Sequence, residues 1–205
     1  LLAEYLKSQK LEVVLSREPG GTPLADKIRE ILLHKDHKNL SPLAELFLYE
    51  ASRAQHVQEV IRPALAQKKI VLCDRFFDAT TVYQGYARGL GRELCRKLNL
   101  MATDNLEPDL TFILDCPVEI GLARSHKRLK EEKSSESRFE EEEIDFHQKV
   151  REGYLKLAQE NPKRVHLINA HRGILEIQKD IQEIIKEIWT RSFSKATAKG
   201  LKPSE

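Results

Sequence analysis

Cysteine is scarce in this sequence. Cys73, Cys95 and Cys116 are three residues in 205, an odd number with no metal-ligand spacing. They read as reduced, mostly buried thiols of a cytoplasmic protein, not as a disulfide framework or a zinc site. No apolar run approaches the roughly 20 residues that span a bilayer, and no signal-peptide pattern is visible. An excess of one charge is missing too: the formal net charge of +2 is too small to argue for a nucleic-acid partner. There is no internal repeat and no sign of a second domain. Nor is there a Gly-Lys dipeptide, so no G-x-x-x-x-G-K-S/T phosphate loop lies within the chain.

What is present fits one globular domain with a proper core, at 32% charged and 40% hydrophobic residues. Four short apolar runs recur: "LEVVL" (11–15), "IVLC" (70–73), "LTFILD" (110–115) and "VHLI" (165–168). Long helical patterns separate them, and continuous apolar strands alternating with helices predict an α/β fold with a parallel sheet covered on both faces. Ser41 and Pro42 suit the N-cap and first turn of a helix running to about residue 67, kinked at Pro63. The last helix places Ile174, Ile177, Ile181, Ile184 and Ile188 on one face. Residues 193–205 have little to pack and read as a flexible tail. The charge run at 126–143, "HKRLKEEKSSESRFEEEE", is either a solvated loop or a mobile lid whose cations close over phosphates.

Ligands of open α/β sheets sit at the carboxyl ends of the strands. Here those ends carry Arg17-Glu18-Pro19-Gly20-Gly21-Thr22, then Asp74-Arg75, then Asp115. Two strand-end arginines with carboxylates suit a phosphate ester and a magnesium ion, although each arginine alone is equally read as a surface ion pair. Tyr49 and Arg53 lie four apart on a helix, as do Thr80 and Gln84. An aromatic ring beside a guanidinium is a platform for a nucleobase, while a lone tyrosine there also suits a core. The residues themselves reach a phosphate and a base, not a named reaction.

The segments "SREPGGT", "LYEASRAQH", "VLCDRFFDATTVYQGYARG", "PDLTFILDCPVEIGLAR" and "RFE…FHQKVREGYLKLA" together resemble the bacterial thymidylate kinases, in that order and at matching intervals over about residues 1–190. The resemblance implies transfer of the ATP γ-phosphoryl group to dTMP, giving dTDP and ADP with Mg²⁺. It also implies a three-layer P-loop kinase fold, a short lid at 126–143 within a domain of residues 1–192, and a homodimer. By position, Tyr49 stands where the family generally has a stacking Phe. Arg53, Thr80 and Gln84 fall on the base, and Tyr83 crowds the sugar where a ribonucleotide carries its 2′-hydroxyl. Arg75 and Arg29 fall on the dTMP phosphate with Arg17 beside them, and Asp74 and Glu18 on the metal and its waters. Arg124, Arg128 and Arg138 flank or lie in the lid, Arg124 and Arg138 at family positions that neutralise the transferring phosphoryl. His34, His37 and His126 read as solvated.

The alternatives are a noncatalytic nucleotide-binding descendant of such a kinase and a kinase for another nucleoside monophosphate. Discrimination of dTMP from dUMP rests on one methyl group, about 1–3 kcal/mol in a pocket. The family's phosphate loop lies just before the helix that "LLAEYLKSQK" resembles in its back half. The expectation is therefore a chain short of a central strand and that loop by about 20 residues. The neighbouring strands should then show exposed apolar edges, and the chain as written should be inactive.

Overall fold

The computed structural model describes the backbone of residues 1–198. In chain order it contains α1 (Leu2–Ser8), β1 (Val13–Arg17), α2 (Pro23–Leu33), α3 (Pro42–His56), α4 (Arg62–Ala66), β2 (Ile70–Asp74), α5 (Phe77–Thr80), α6 (Arg92–Thr103), β3 (Thr111–Asp115), α7 (Val118–Glu132), α8 (Ile144–Glu160), β4 (Val165–Asn169) and α9 (Ile174–Ala198). Each predicted apolar run is a strand, displaced by no more than two residues.

The strands form two parallel pairs. β1 runs beside β2 from Val13↔Ile70 to Arg17↔Asp74, and β3 beside β4 from Thr111↔Val165 to Asp115↔Asn169. A single continuous sheet is therefore not what the described residues form. A trough of about 1160 Å³ lined by both β2 and β3 lies between the pairs, with Leu2, Leu6, Ile185 and Trp189 in its walls. Ile70, Val71 and Leu72 of β2 and Phe112, Ile113 and Leu114 of β3 line its two sides.

Local chemistry explains the helix boundaries. Thr22 caps α2, its hydroxyl accepting the Ala25 N–H at 3.2 Å, and Ser41 caps α3 through Ala44 N–H at 3.3 Å; proline follows each cap. The long helix predicted to kink at Pro63 instead widens to five-residue hydrogen-bonded turns over Val57–Ile61 before continuing as α4. A proline ring crowds the preceding turn and lacks an N–H, and a widened turn accommodates both. A second wide turn, Thr81–Ala87, follows α5.

One core cluster joins Val82, Ile113, Phe146, Val150, Leu157 and Val165, and a second joins Ile168, Ile181 and Ile185. The last helix is thus seated by Ile181 and Ile185, with Ile177 and Ile184 partly covered, while Ile174 is exposed. α9 continues through Ala198, so the first residues of the predicted tail are helical; residues 199–205 lie outside the described residues. Gly153 on α8 permits close packing against the second wide turn, since a Cβ there would meet Val82 at 3.0 Å and Tyr86 at 3.3 Å. Among the described residues no helix is long and apolar enough to cross a membrane.

Candidate active site

The tips of β1 and β2 hold the densest polar cluster. β1 ends in Arg17 and runs into a loop with a cis Glu18–Pro19 bond, and then Gly20 and Gly21 at positive φ. A Cβ on Gly21 would lie 2.7 Å from both His56 and Ser16, so only glycine fits between them. Thus the loop turns sharply and drops Glu18 into the interior, 4% exposed.

Arg53 on α3 is the centre of this cluster, 1% exposed. Its Nε donates to Glu18 at 2.8 Å, one terminal nitrogen to Glu50 at 3.0 Å and Asn99 at 2.8 Å, and the other to Thr80 at 2.9 Å. Four of the five guanidinium N–H groups are therefore committed, which leaves one for another acceptor. The Glu18 carboxylate is filled from both sides, since its second oxygen meets His56 Nδ1 at 3.0 Å while His56 Nε2 meets the Ser16 hydroxyl at 2.5 Å. Burial raises the carboxyl pKa of Glu50 above the ordinary range, with Arg53 opposing it; the other Glu50 oxygen has no partner.

Arg75 differs from every arginine around it. It is accessible, takes positive φ just past the end of β2, and lies 5.1 Å from the Tyr83 ring centroid. No carboxylate pairs with it among the described residues. It lines the trough and also a small cavity of about 10 Å³ shared with Glu18, Tyr49, Arg53, Phe76, Thr80, Tyr83 and Gln84. The structure thus brings together Tyr49, Arg53, Arg75, Thr80, Tyr83 and Gln84, drawn from α3, the β2 tip, α5 and the second wide turn. The cavity has room for about one water, so a nucleotide fits only with displacement of these side chains.

The remaining arginines are engaged elsewhere. Arg17 pairs with Asp26 at 3.1 Å on the surface, and Arg29 donates to Glu136 at 2.7 Å and to the Pro19 carbonyl at 3.0 Å. Arg138 is held away from solvent, unlike the charge run around it. It is 5% exposed, donates to Glu45 at 2.7 Å and to the Leu32 carbonyl at 2.5 Å, and faces the interior between α2 and α3. Nor is residues 126–143 one loop: α7 extends to Glu132, and only the following turns lie over α2, held by Lys35 N–H to Ser135 O at 3.1 Å and Arg138 N–H to Leu33 O at 3.2 Å. Arg124 donates to the Ala170 carbonyl past β4 at 2.9 Å and Arg128 to Ser125 at 3.4 Å; neither joins the cluster. His34, His37 and His126 sit in exposed hydrogen-bonding positions.

For magnesium, the two proposed carboxylates separate. Asp74 is exposed at the end of β2 with no side-chain partner among the described residues, and one free carboxylate beside a phosphate suits this ion, which keeps most of its waters. Glu18 does not fit, because both its oxygens are taken by Arg53 and His56 inside the core. Among the described residues no three His, Cys, Asp or Glu side chains form a metal-holding group.

Sequence reasoning missed Glu45, Glu50, His56, Asn99 and Phe139. Glu45 was within reach, because positions 45, 49 and 53 form one helical stripe. Phe139 packs against Tyr83 and Tyr49 at centroid distances of 5.5 and 6.5 Å, and no spacing signals that contact.

Parallel strands with connecting helices, and arginines and an aspartate at the strand tips around an aromatic and amide pocket, are the features of an α/β protein with a site suited to a nucleotide. The comparisons name the family. The thymidylate kinase family model matches residues 1–181. The chain is 52% identical over 179 residues to the thymidylate kinase of Geotalea uraniireducens, covering 87% of this chain and 84% of that one. It is 45% identical over 193 residues to that of Symbiobacterium thermophilum, covering 94% and 87%. The crystal structure of thymidylate kinase from Ehrlichia chaffeensis superposes with a TM-score of 0.70 at 34% identity, covering 90% of this chain and 87% of that one. The chain belongs to the thymidylate kinase family, with the P-loop kinase fold, and its reaction is phosphoryl transfer to dTMP, with ATP the donor the family implies.

Proposed function

We propose that the cluster at the β1 and β2 tips is the dTMP site, and that the guanidinium of Arg75, which faces Tyr83 and no carboxylate among the described residues, receives the dTMP phosphate. That one observation carries the reading: a cation without a counter-ion, sharing a cavity with base-sized polar groups, is a place prepared for an anion. The thymine ring stacks on Tyr49, the free N–H of Arg53 donates to a base carbonyl, and Thr80 and Gln84 border its edge. Tyr83 closes the sugar side. Arg29 joins Arg75 on the phosphate by leaving Glu136, and Arg17 assists from the neighbouring tip.

The acceptor phosphate is a dianion near neutral pH, so no strong base is required. The protein's own groups act by holding it in line and by neutralising charge, where one arginine is worth on the order of 10³–10⁵ in rate. Magnesium, held at Asp74 when bound, would supply charge neutralisation on the phosphate oxygens. The trough between β2 and β3 opens beside Arg75 and Asp74, which supports this side as the one the phosphate donor approaches. Arg124, Arg128 and Arg138 remain candidates for the transferring phosphoryl, and Arg138 reaches it only on leaving Glu45. The exposed Leu43 and Phe47, four apart on α3, with Leu24 and Ile31 on the adjoining α2, support a homodimer. The modest charge and the soluble family support a cytoplasmic enzyme without a nucleic-acid or membrane partner.

Competitive binding of dTMP, dUMP and AMP to the full natural protein tests the acceptor. Preference for dTMP over AMP by at least a hundredfold is expected, and equal binding of the two overturns the assignment. A second test uses Glu136→Gln. The Arg29–Glu136 pair is partly buried and bidentate, so stability should fall by about 1 kcal/mol, whereas dTMP affinity should rise a few-fold as Arg29 is released. A fall in affinity would show that Glu136 supports the site.

A further inference from the structure

Gln84 borders the small cavity, yet its amide is not free to turn. Its Nε2 donates at 2.8 Å to Glu45, a residue that is 0% exposed and lies outside the cavity wall, one layer behind. A carboxylate can only accept, so the side of Gln84 facing Glu45 must be its NH₂ group. Its carbonyl oxygen is left for the other side, and it accepts nothing from the described residues. Glu45 is itself pinned: one oxygen takes Gln84 Nε2 and Arg88 Nε at 3.3 Å, the other Arg138 at 2.7 Å and Arg88 at 3.3 Å.

From this we infer that Glu45 is a positioning residue for pyrimidine selectivity: it fixes the Gln84 amide so that only an acceptor faces the base. The inference rests on the dTMP-site reading. Arg53 presents one remaining N–H, and Gln84 one carbonyl oxygen. That donor and acceptor match the O4 and N3–H of an imide-edged pyrimidine, thymine or uracil. Cytosine offers an amine and a bare ring nitrogen at the same two atoms and mismatches both. The selectivity is thus set one layer behind the pocket, by a carboxylate that touches no substrate.

Glu45→Gln probes this directly. Arg138, the shortest donor to residue 45, would claim the new amide's oxygen and leave its NH₂ facing Gln84. Gln84 would then turn and present N–H to the base. Dissociation constants for dTMP and its 3-deaza analogue, which carries C–H in place of N3–H, are measured by calorimetry on the full natural protein and the variant. In the wild type the analogue should bind about a hundredfold more weakly, since its ring enolises and it loses both the N3–H donor and the O4 acceptor. In Glu45→Gln dTMP should weaken, and that penalty should shrink by about tenfold, the O4 part remaining. An undiminished penalty in the variant overturns the proposal and leaves Glu45 only a counter-ion for Arg88 and Arg138. Should the variant not fold, the wild-type arm decides: equal affinity for dTMP and the analogue overturns it. Failure of the wild type to bind dTMP at all would instead remove the site reading beneath it.

Discussion

Arg53→Ala is expected to lower stability by about 3–5 kcal/mol, because it strands two buried carboxylates, Glu18 and Glu50, that now share one guanidinium. In a chain of this size that is about 10 °C or more in Tm. The pH dependence has a definite sign. The Glu50 carboxyl already holds its proton more tightly folded than unfolded, burial being the main cause and Arg53 opposing it. Removing Arg53 raises that pKa further, and a raised carboxyl pKa disfavours the folded state once pH exceeds the unfolded value. The variant's deficit should therefore be larger at pH 8 than at pH 5. Urea curves at the two pH values check this, and a deficit that is equal or larger at pH 5 would count against a stranded carboxyl. Below the variant's melting point, dTMP should bind far more weakly than to wild type while ATP binding holds.

Arg75→Ala should behave in the opposite way. This side chain is accessible and has no carboxylate partner among the described residues, so its removal should alter stability by no more than about 1 kcal/mol. Loss of two charge-assisted hydrogen bonds to a phosphate is worth about 3–4 kcal/mol, or 10²–10³-fold in dTMP affinity. Calorimetry paired with a melting curve separates the two quantities. An unchanged dTMP affinity would return Arg75 to an incidental surface cation. The contrast between the variants follows from their surroundings: Arg53 is part of the interior and Arg75 waits for its anion.

How far the sequence alone reached follows the same division. The four strands were legible because each is a continuous apolar run, and the start of α3 because Ser41-Pro42 is a local signal; the equivalent Thr22-Pro23 cap of α2 went unread. Tyr49 with Arg53 and Thr80 with Gln84 were legible as spacings on one face, and they do meet around one cavity. Glu18 was misplaced. A carboxylate next to a strand-tip arginine looks free for a metal, and only the fold brings His56 and Arg53 onto its two oxygens. The surroundings of Arg138 were hidden for a related reason: it sits in a charge run that reads as solvated, but Glu45 draws it 93 positions back along the chain into the core. Sequence spacing reports neighbours on one helix and is blind to partners brought together by packing.

A crystal structure of the full natural protein with dTMP tests the account most directly. The 5′-phosphate should lie within hydrogen-bonding distance of the Arg75 guanidinium, with the thymine edge between Arg53 and Gln84 and its face on Tyr49. A phosphate bound away from Arg75, with Arg53 and Gln84 untouched by the base, would contradict it.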